Sequence, residues 1–421
     1  MVAASGMRVR IHRGAREIGG NCVELESGGK RLVLDVGRPL DAGFDDEVRL
    51  PEIEGLDGRE GATLKGVVLS HPHQDHYGLV GQVEPSVPIY VGQEAASILD
   101  AAAFFSPAGV TLRPAGFLSD RRSIEIGPFT VTPYLVDHSA FDSYALVVAA
   151  GGRRLFYSGD FRAHGRKASL VTKLCEQPPK AIDVLILEGT HVRPDGREVP
   201  GLDESGLELA MAEEFRCTTG LVAVFSSTQN IDRLVTIYRA CKHAGRTLVI
   251  DLYAASVAAA TATKSIPQIG FPRLRVYVPN RQRMLVKDSA EFERVNAIRS
   301  SRVFLEEIRA GASEFVMLMQ GSTLPEVARA GCLGDASAIW SLWPGYLDQP
   351  SGKRVLRTLE EHGVPLRCMH ASGHARIADL RALADALAPA RVVPIHSAAP
   401  ERFTDLFARV ERHPDGEWWE V

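Results

Sequence analysis

The sequence has no long hydrophobic segment, few cysteines and no excess of positive charge. No apolar run approaches the roughly 20 residues that a transmembrane helix needs, and the first residues lack the basic segment and apolar core of a signal peptide. The six cysteines are scattered and form no C-x-x-C pair, which is typical of a reduced protein with isolated thiols. We therefore expect a cytoplasmic protein without membrane contact, in which histidine and carboxylate side chains hold any metal.

The overall charge and length limit the classes of function and architecture. A formal net charge of −4 argues against binding of nucleic acid through a generally basic surface. It does not exclude an enzyme that acts on nucleic acid, because two divalent cations would bring four positive charges into a cleft. A chain of 421 residues is too long for one ordinary core, so we expect two domains or one domain with a large insertion.

The most informative stretch is His-Pro-His-Gln-Asp-His, which follows an apolar, strand-like run ending at Ser70. If the backbone stays extended, His71 and His73 point the same way, because side chains two apart share a face. Asp75 and His76 would then open a new element and point elsewhere. A polar loop with scattered histidines is the ordinary alternative. Three histidines and one aspartate at this spacing favour two adjacent sets of metal ligands instead.

Several other apolar strands end at a residue that can bind a metal or move a proton. Functional groups collected at strand ends form a cleft along one edge of a sheet. For each of these residues alone, a turn aspartate or a hydrogen-bonded core histidine is the ordinary interpretation, and the joint pattern carries the argument. The residues are Asp35, His138, Asp160, Glu188 and His396.

The order of strands and helices predicts an α/β protein with an interrupted domain. Short strands that end in ligand-type residues dominate residues 7–195, and the same signature returns in 365–421. Between them, residues 196–364 alternate helices with apolar strands, which indicates a mostly parallel sheet. The simplest organisation is one domain in two pieces, interrupted by an inserted α/β domain.

The candidate metal ligands suit two zinc ions, each with a position left for water or substrate. One carboxylate must then bridge the ions, and Asp160, which follows a sharp Ser-Gly turn, is the best candidate. Two metals about 3.5–4 Å apart are a known arrangement for phosphoryl displacement. The seven candidates are His71, His73, Asp75, His76, His138, Asp160 and His396.

These motifs together resemble the metallo-β-lactamase fold, an αββα sandwich with metals at one edge. Three further motifs resemble those of the β-CASP nucleases: Glu188-Gly189-Thr190, Ser372-Gly373-His374 and Pro394-Ile395-His396. The opening stretch 14–21 is similar to ribonuclease J and its shorter relatives. The resemblance implies that the inserted residues 196–364 are a β-CASP domain acting as a wall of a polynucleotide groove.

The resemblance also implies the role of each site residue. One zinc would be held by His71, His73 and His138, the other by Asp75, His76 and His396, and Asp160 would bridge. Asp75 would also orient the attacking water. His374 would contact the scissile phosphate and help to protonate the leaving oxygen, and Glu188 would fix the orientation of a histidine. Ser372 and Gly373 would present donors to phosphate oxygens.

The inserted domain contains a second candidate for phosphate contact, the loop at 226–230. Ser226 and Ser227 stand between a strand and a predicted helix, where free backbone N–H groups bind phosphate well. Plain capping of the helix by Ser, Thr or Asn explains the same residues equally well. In the family that the chain resembles, this loop faces the cleft, which favours phosphate contact.

The leading hypothesis is a zinc-dependent ribonuclease that hydrolyses single-stranded RNA by exonucleolytic or endonucleolytic cleavage, with Mn²⁺ as an alternative metal. The resemblance implies that a histidine at position 396 accompanies members that process RNA. A DNA nuclease is the second hypothesis. A small-molecule hydrolase and a catalytically silent binding subunit are further alternatives, and a homodimer is an open option for the assembly.

Overall fold

A computed structural model describes residues 6–43, 46–58, 63–106, 109–198 and 201–421. The chain divides into two compact units. The first unit comprises Met1–Leu99, Val110–Pro200 and Gly373–Val421, and the second unit comprises Asp100–Gly109 and Gly201–Ser372. In the part of the chain that is described, no helix combines the length and the apolarity that crossing a membrane requires.

Many of the buried apolar side chains of both units belong to strands. In chain order, the strands of the described residues are β1 (Arg8–Arg13), β2 (Cys22–Ser27), β3 (Lys30–Leu34), β4 (Leu64–Val68), β5 (Ile89–Gly92), β6 (Gly116–Leu118), β7 (Ile124–Ile126), β8 (Phe129–Val136), β9 (Ser143–Ala150), β10 (Arg153–Tyr157), β11 (Val184–Glu188), β12 (Val222–Phe225), β13 (Thr247–Asp251), β14 (Leu274–Tyr277), β15 (Phe315–Met319), β16 (Ser337–Trp340), β17 (Leu366–Cys368), β18 (Arg391–Ile395) and β19 (Trp418–Glu420).

The helices pack against the faces of these strands. They are α1 (Gln74–Tyr77), α2 (Gln93–Ala103), α3 (Ala168–Glu176), α4 (Glu204–Cys217), α5 (Ile231–Ala244), α6 (Leu252–Ala260), α7 (Asn280–Ser289), α8 (Glu293–Asn296), α9 (Leu305–Ala310), α10 (Leu324–Arg329), α11 (Pro350–Glu361) and α12 (Ile377–Leu387). Short 3-10 segments span Val80–Gln82, Arg299–Ser301, Ala312–Glu314, Pro344–Asp348 and Pro400–Asp405.

The first unit is built from two sheets, with strand orders β19-β1-β2-β3-β4-β5-β6 and β18-β11-β10-β9-β8-β7. Alternate residues of one strand face opposite sides of a sheet. In β9, Leu146 and Val148 therefore lie in the core between the sheets, whereas Ala145 and Val147 belong to the core that includes residues of α3 and α12. A further core packs α2 on the outer face of the other sheet. The first unit is an αββα sandwich.

The second unit contains one sheet in the order β14-β13-β15-β12-β16-β17, and every pairing in it is parallel. Its strands read as continuous apolar runs because both faces are covered. One face packs on α4, α5 and α6, and the other packs on α9, α10 and α11. The predicted α/β fold class is confirmed.

Strand direction in the first unit brings the ends of several strands to one edge. Strand β3 is parallel to β4, and β11 is parallel to both of its neighbours, β10 and β18. Asp35 follows the end of β3, Asp160 and His396 follow β10 and β18, and Glu188 is the last residue of β11. Asp35 and His396 both have a positive φ, of 60° and 53°, which costs conformational energy in non-glycine residues. Such strain is typical of functional sites.

Candidate metal centre

The chain direction changes within the 71–76 stretch, and this change separates its ligands into two groups. Helix α1 begins directly after His73, whose carbonyl accepts the N–H groups of His76 and Tyr77 at 2.9 and 3.0 Å. The ligand atoms of His71 and His73 therefore group with His138, whereas Asp75 and His76 belong to another group. The single turn of helix α1 directs Asp75 and His76 away from the group of His71 and His73.

The seven predicted ligands all lie in these two groups, and the ligand atoms of each group lie within 4.8 Å of one another. The groups adjoin through Asp160, whose Oδ2 lies 3.1 Å from His76 Nε2 and 3.6 Å from His71 Nε2. Its Oδ1 lies 2.9 Å from His396 Nδ1. The first group is His71, His73 and His138, and the second is Asp75, His76, Asp160 and His396.

Several polar atoms at the junction of the groups are buried without a hydrogen-bond partner among the described residues. They are His71 Nε2, His76 Nε2, both carboxylate oxygens of Asp160 and both ring nitrogens of His396. A buried polar atom without a partner costs on the order of 1–3 kcal/mol, and more for a charged group. Divalent cations bound by nitrogen and oxygen ligands would satisfy all of these atoms together. The residues present therefore fit a metal centre.

Asp35 lies behind the second group and fixes its geometry. Its Oδ2 accepts the hydroxyl groups of Ser70 and Tyr157 at 2.7 Å each, and it lies 2.7 Å from His76 Nδ1. The Ser70 N–H donates to the other oxygen at 2.7 Å. A carboxylate on one ring nitrogen sets the tautomer and directs the other nitrogen to the metal. His76 is thereby held with Nε2 facing Asp160.

Backbone contacts from the Gly14–Asn21 loop hold Asp75 and His396 in place. The Asn21 N–H donates to the Asp75 carbonyl at 3.0 Å, and the His396 N–H donates to the Gly14 carbonyl at 2.8 Å. Gly37 contacts the same loop, and its N–H donates to the Asn21 carbonyl at 2.9 Å. A Cβ on Gly37 would lie 1.8 Å from the Asp75 carbonyl oxygen. Only glycine permits this approach.

Burial gives the first group the protonation state that metal binding requires. Burial, together with the neighbouring imidazoles, holds the pKa of His71 and of His138 well below the usual value, and burial lowers the pKa of His73 to about 4. For His76, burial also acts to lower the pKa, but the carboxylates of Asp160 and Asp35 outweigh it and raise the pKa. A cation between His76 and Asp160 would take the place of that proton.

His374 lies beside the metal ligands and is oriented by Glu188 and Thr190. Its Nδ1 is 3.3 Å from Glu188 Oε2, 3.1 Å from Thr190 Oγ1 and 3.6 Å from Asp160 Oδ2. Burial acts to lower the pKa of His374, but Glu188 and Asp160 raise it to about 9. The other oxygen of Glu188 accepts backbone N–H groups of Phe161 and Ala375 at 3.1 and 3.3 Å. A charged, oriented imidazole of this kind can donate a proton.

The predicted phosphate-contact residues fall in different parts of the structure. Gly373 belongs to the first unit, and its carbonyl accepts a hydrogen bond from His138 Nδ1. Ser226, Ser227 and Ser372 belong to the second unit. Helix α5 is capped by Asn230, which accepts the Arg233 N–H at 2.9 Å. The two serines are therefore not the cap of this helix, and phosphate contact stays a prediction for them.

Residues that position the ligands were missed in the sequence. Asp137 precedes His138, and the Arg162 N–H donates to the Asp137 carbonyl at 2.7 Å. Their charged groups are completely buried and lie 3.5 Å apart. This ion pair ties the loop that carries His138 to the loop that carries Asp160. The sequence did contain a signal: Asp137 and Arg162 carry opposite charges, one residue from His138 and two residues from Asp160. Thr190 stands in the Glu188-Gly189-Thr190 motif, but that motif assigned it no role.

The αββα sandwich with a buried histidine and aspartate cluster at one edge defines the class of protein. Residues 40–253, more than half of the chain, match the family described as "Beta-lactamase superfamily domain". The chain therefore belongs to the β-lactamase superfamily, and the metallo-β-lactamase fold that the motifs predicted is confirmed.

Similar proteins include ribonuclease J from Mycobacterium tuberculosis H37Rv, which is 25% identical over 94% of this chain and 69% of its own length. Ribonuclease J from Sinorhizobium meliloti is 22% identical over 83% of this chain and 60% of its own length. A solved structure of a protein of unknown function from Enterococcus faecalis V583 superposes with a TM-score of 0.79 at 20% identity, over 99% of this chain and 100% of its own. This last likeness is one of fold.

We predict that His76→Ala lowers the number of tightly bound divalent cations from two to one per chain. His76 belongs to the second ligand group alone, so the first group keeps its three imidazoles. Metal content after dialysis, measured by inductively coupled plasma mass spectrometry, checks this. The matched control is His243→Ala, which removes an exposed histidine that pairs with Glu208. Two ions bound with unchanged affinity in His76→Ala would contradict the assignment.

Gly37→Ala is expected to weaken metal binding by the second group about 10- to 100-fold, the usual effect of disturbing groups that orient ligands. The added Cβ must displace the Asp75 carbonyl, which lies 1.8 Å from its ideal position. Zinc titration by isothermal calorimetry measures the change. Gly334→Ala is the control, because nothing lies within 4 Å of a Cβ at that position. Equal affinities for the two variants would refute the proposed constraint.

Proposed function

We propose that this protein is a ribonuclease that hydrolyses phosphodiester bonds of single-stranded RNA with two zinc ions, or two Mn²⁺ ions in their place. The observation that carries the proposal is the meeting of seven ligand-type side chains in two adjoining groups around Asp160. The similarity to proteins named ribonuclease J, over 94% of this chain, supports RNA as the substrate. We further propose residues 196–364 as the inserted β-CASP domain.

The ligand groups assign the chemistry to particular side chains. Two bound divalent cations supply charge neutralisation at the phosphate oxygens and lower the pKa of a water molecule. In the proposal, His71, His73 and His138 hold one ion, Asp75, His76 and His396 hold the other, and Asp160 contacts both. Asp35 keeps His76 in the tautomer that presents Nε2, so this ligand is oriented before any ion binds.

Asp75 is proposed to orient the attacking water as well as to bind metal. Its Oδ2 lies 3.6 Å from His396 Nε2, and its backbone is fixed by the Asn21 N–H. The remaining carboxylate oxygen is then available to accept a hydrogen bond from the water. Such a hydrogen bond aligns the nucleophile with the phosphorus atom, and positioning of this kind makes a large contribution to catalysis.

His374 is proposed as the group that protonates the leaving oxygen. The contact with Glu188 at 3.3 Å keeps its imidazole charged and fixes one ring nitrogen. The imidazole is proposed to reach the leaving oxygen from this position. Ser372 and Gly373 are proposed to present donors to the phosphate. Ser226 and Ser227 are proposed as further phosphate contacts, which is supported by their position directly after β12, a buried parallel strand.

Side-by-side cleavage of RNA and DNA oligonucleotides of matched sequence tests the proposed function. The purified protein, loaded with Zn²⁺ or Mn²⁺, is expected to degrade the single-stranded RNA and to lose activity in a chelator. Asp160→Asn, prepared in the same way, controls for contaminating nucleases. Faster cleavage of the DNA would replace the proposal with a DNA nuclease. Turnover of lactones or thioesters without cleavage of either strand would indicate a small-molecule hydrolase.

His374→Gln is expected to lower the rate of RNA cleavage about 10²- to 10⁴-fold, the usual contribution of a positioned acid. The metal content is expected to stay unchanged, because all seven proposed ligands remain. Single-turnover rates and metal content are measured on the same preparation, with His243→Ala as the control. Loss of metal from His374→Gln would show that this histidine is a ligand and that the assigned role is wrong.

A further inference from the structure

Two large aromatic side chains of the second unit are exposed side by side. Trp343 is 58% exposed and Tyr346 is 38% exposed. Their rings are in contact at nearly a right angle, with centroids 5.4 Å apart and an interplanar angle of 88°. Tyr346 belongs to the 3-10 segment Pro344–Asp348, which begins directly after Trp343, three residues beyond the end of β16. We call these two side chains the aromatic pair.

The backbone that carries the aromatic pair is held firmly. The Trp343 carbonyl accepts the indole N–H of buried Trp340 at 3.3 Å and the Tyr346 N–H at 3.1 Å. Gly345 lies under the Trp343 ring, and a Cβ there would come within 2.2 Å of ring atoms. A Cβ on Gly352 of α11 would likewise lie 2.1 Å from the Tyr346 carbonyl oxygen. Binding to rings held in this way costs little conformational entropy.

Core packing does not account for the aromatic pair. The apolar core at this end of the sheet is filled by buried Trp340, with partly buried Leu342 and Leu347 packed against it. Trp343 and Tyr346 are not among the residues of that core. Tyrosine and tryptophan combine large contact area with few rotatable bonds, and an exposed, rigid pair of them is typical of a recognition surface.

The aromatic pair follows the carboxyl end of a parallel strand, where open α/β sheets bind ligands. Strand β16 is paired in parallel with β12, with Trp340 opposite Phe225. The Ser341 N–H donates to the Phe225 carbonyl at 2.8 Å. Residues 341–346 and the loop that begins at Ser226 therefore leave adjacent strands at one edge of the same sheet. A nucleic-acid strand with a phosphate bound at the Ser226 loop would therefore extend its neighbouring nucleotides towards residues 341–346.

Positive charge follows the aromatic pair along the chain, on helix α11. Helix α11 begins with Pro350, two residues after the 3-10 segment, and carries Lys353, Arg354 and Arg357 on exposed positions. None of these three side chains forms an ion pair with a described residue. The acidic residues of the helix, Glu360 and Glu361, are confined to its last turn. Exposed aromatic rings followed along the chain by cations that no described carboxylate pairs match a chain of bases and phosphates rather than an apolar protein surface.

We propose that Trp343 and Tyr346 form a stacking platform for an unpaired base of single-stranded RNA, and that Lys353, Arg354 and Arg357 contact phosphates on either side of that base. The proposal deepens the proposed function and rests on it, because it names a substrate-binding surface of the same enzyme. Stacking on a ring face is tolerant of sequence, since every base has such a face. The platform therefore predicts affinity for single strands rather than for a particular base.

Substitution of the aromatic pair in the full-length, metal-loaded protein tests the platform. Trp343→Leu is expected to raise KM for a single-stranded RNA oligonucleotide about tenfold, the effect of losing one base stack, with kcat changed much less. Trp343→Phe keeps a ring face and is expected to restore KM to within about threefold of the original protein. Phe292→Leu is the matched control, because Phe292 is an exposed aromatic of the second unit, at 55%, without a ring partner among the described residues.

A binding measurement separates failure of the platform from failure of the proposed function. Tryptophan fluorescence of the Asp160→Asn protein is titrated with the same RNA, and quenching that disappears in Asp160→Asn with Trp343→Leu supports the platform. If the original protein cleaves RNA and Trp343→Leu leaves KM unchanged, the platform is refuted and the proposed function stands. If RNA is neither cleaved nor bound, both fail. If Trp343→Leu instead converts a dimer to a monomer in light scattering, the surface is an interface between copies and the proposal is overturned.

Discussion

The carboxylate of Asp160 is the group on which the rest of the site depends. It is buried, and in the part of the chain that the structure describes neither of its oxygens has a hydrogen-bond partner. Imidazoles from both ligand groups approach it within 3.6 Å. Burial alone would raise the pKa of Asp160, but the neighbouring histidines, His396 and His76 foremost, hold it well below the usual value. A buried charge of this kind persists only with positive partners, and cations are the partners that both groups can share.

Two further carboxylates orient histidine side chains of this centre. Asp35 collects hydrogen bonds from Ser70 and Tyr157 and sets the ring of His76. Glu188 does the same for His374 while it accepts two backbone N–H groups. Each carboxylate stands at or next to the carboxyl end of a parallel strand, where the sheet fixes its position. The rigidity of the sandwich is thereby passed to the reactive side chains.

The sequence was sufficient for the fold class and for the side chains that meet in the two groups, because both depend on local signals; that these side chains bind metal stays a prediction. Alternating apolar residues mark the strands, and a strand that ends at His138, Asp160 or His396 carries its ligand in the same short run. The ion pair of Asp137 with Arg162 and the contact of Thr190 with His374 depend on which loops meet in three dimensions. The charges of Asp137 and Arg162 beside two predicted ligands hint at a pair, but no spacing along the chain shows that their loops meet, so neither contact was predicted.

The assignment of residues 100–109 to the second unit illustrates the same limit. Phe105 stacks on Tyr253 with centroids 5.0 Å apart, and Arg294 lies over the ring of Phe104 at 4.1 Å. The partners are about 150 and 190 positions away in the sequence, and an isolated pair of phenylalanines gives no hint of them. The loop at Ser226 shows a different limit. Several of its Ser, Thr and Asn residues were able to cap helix α5, and only the structure shows that Asn230 does so.

The ligands of the candidate centre are spread along the chain, and this has a consequence for biosynthesis. The first group is complete once His138 has been made, but the second group needs His396 on β18. Domains fold during translation as their segments leave the ribosome. A nascent chain is therefore unable to assemble the second group until His396 on β18 has left the ribosome, long after the first group is complete.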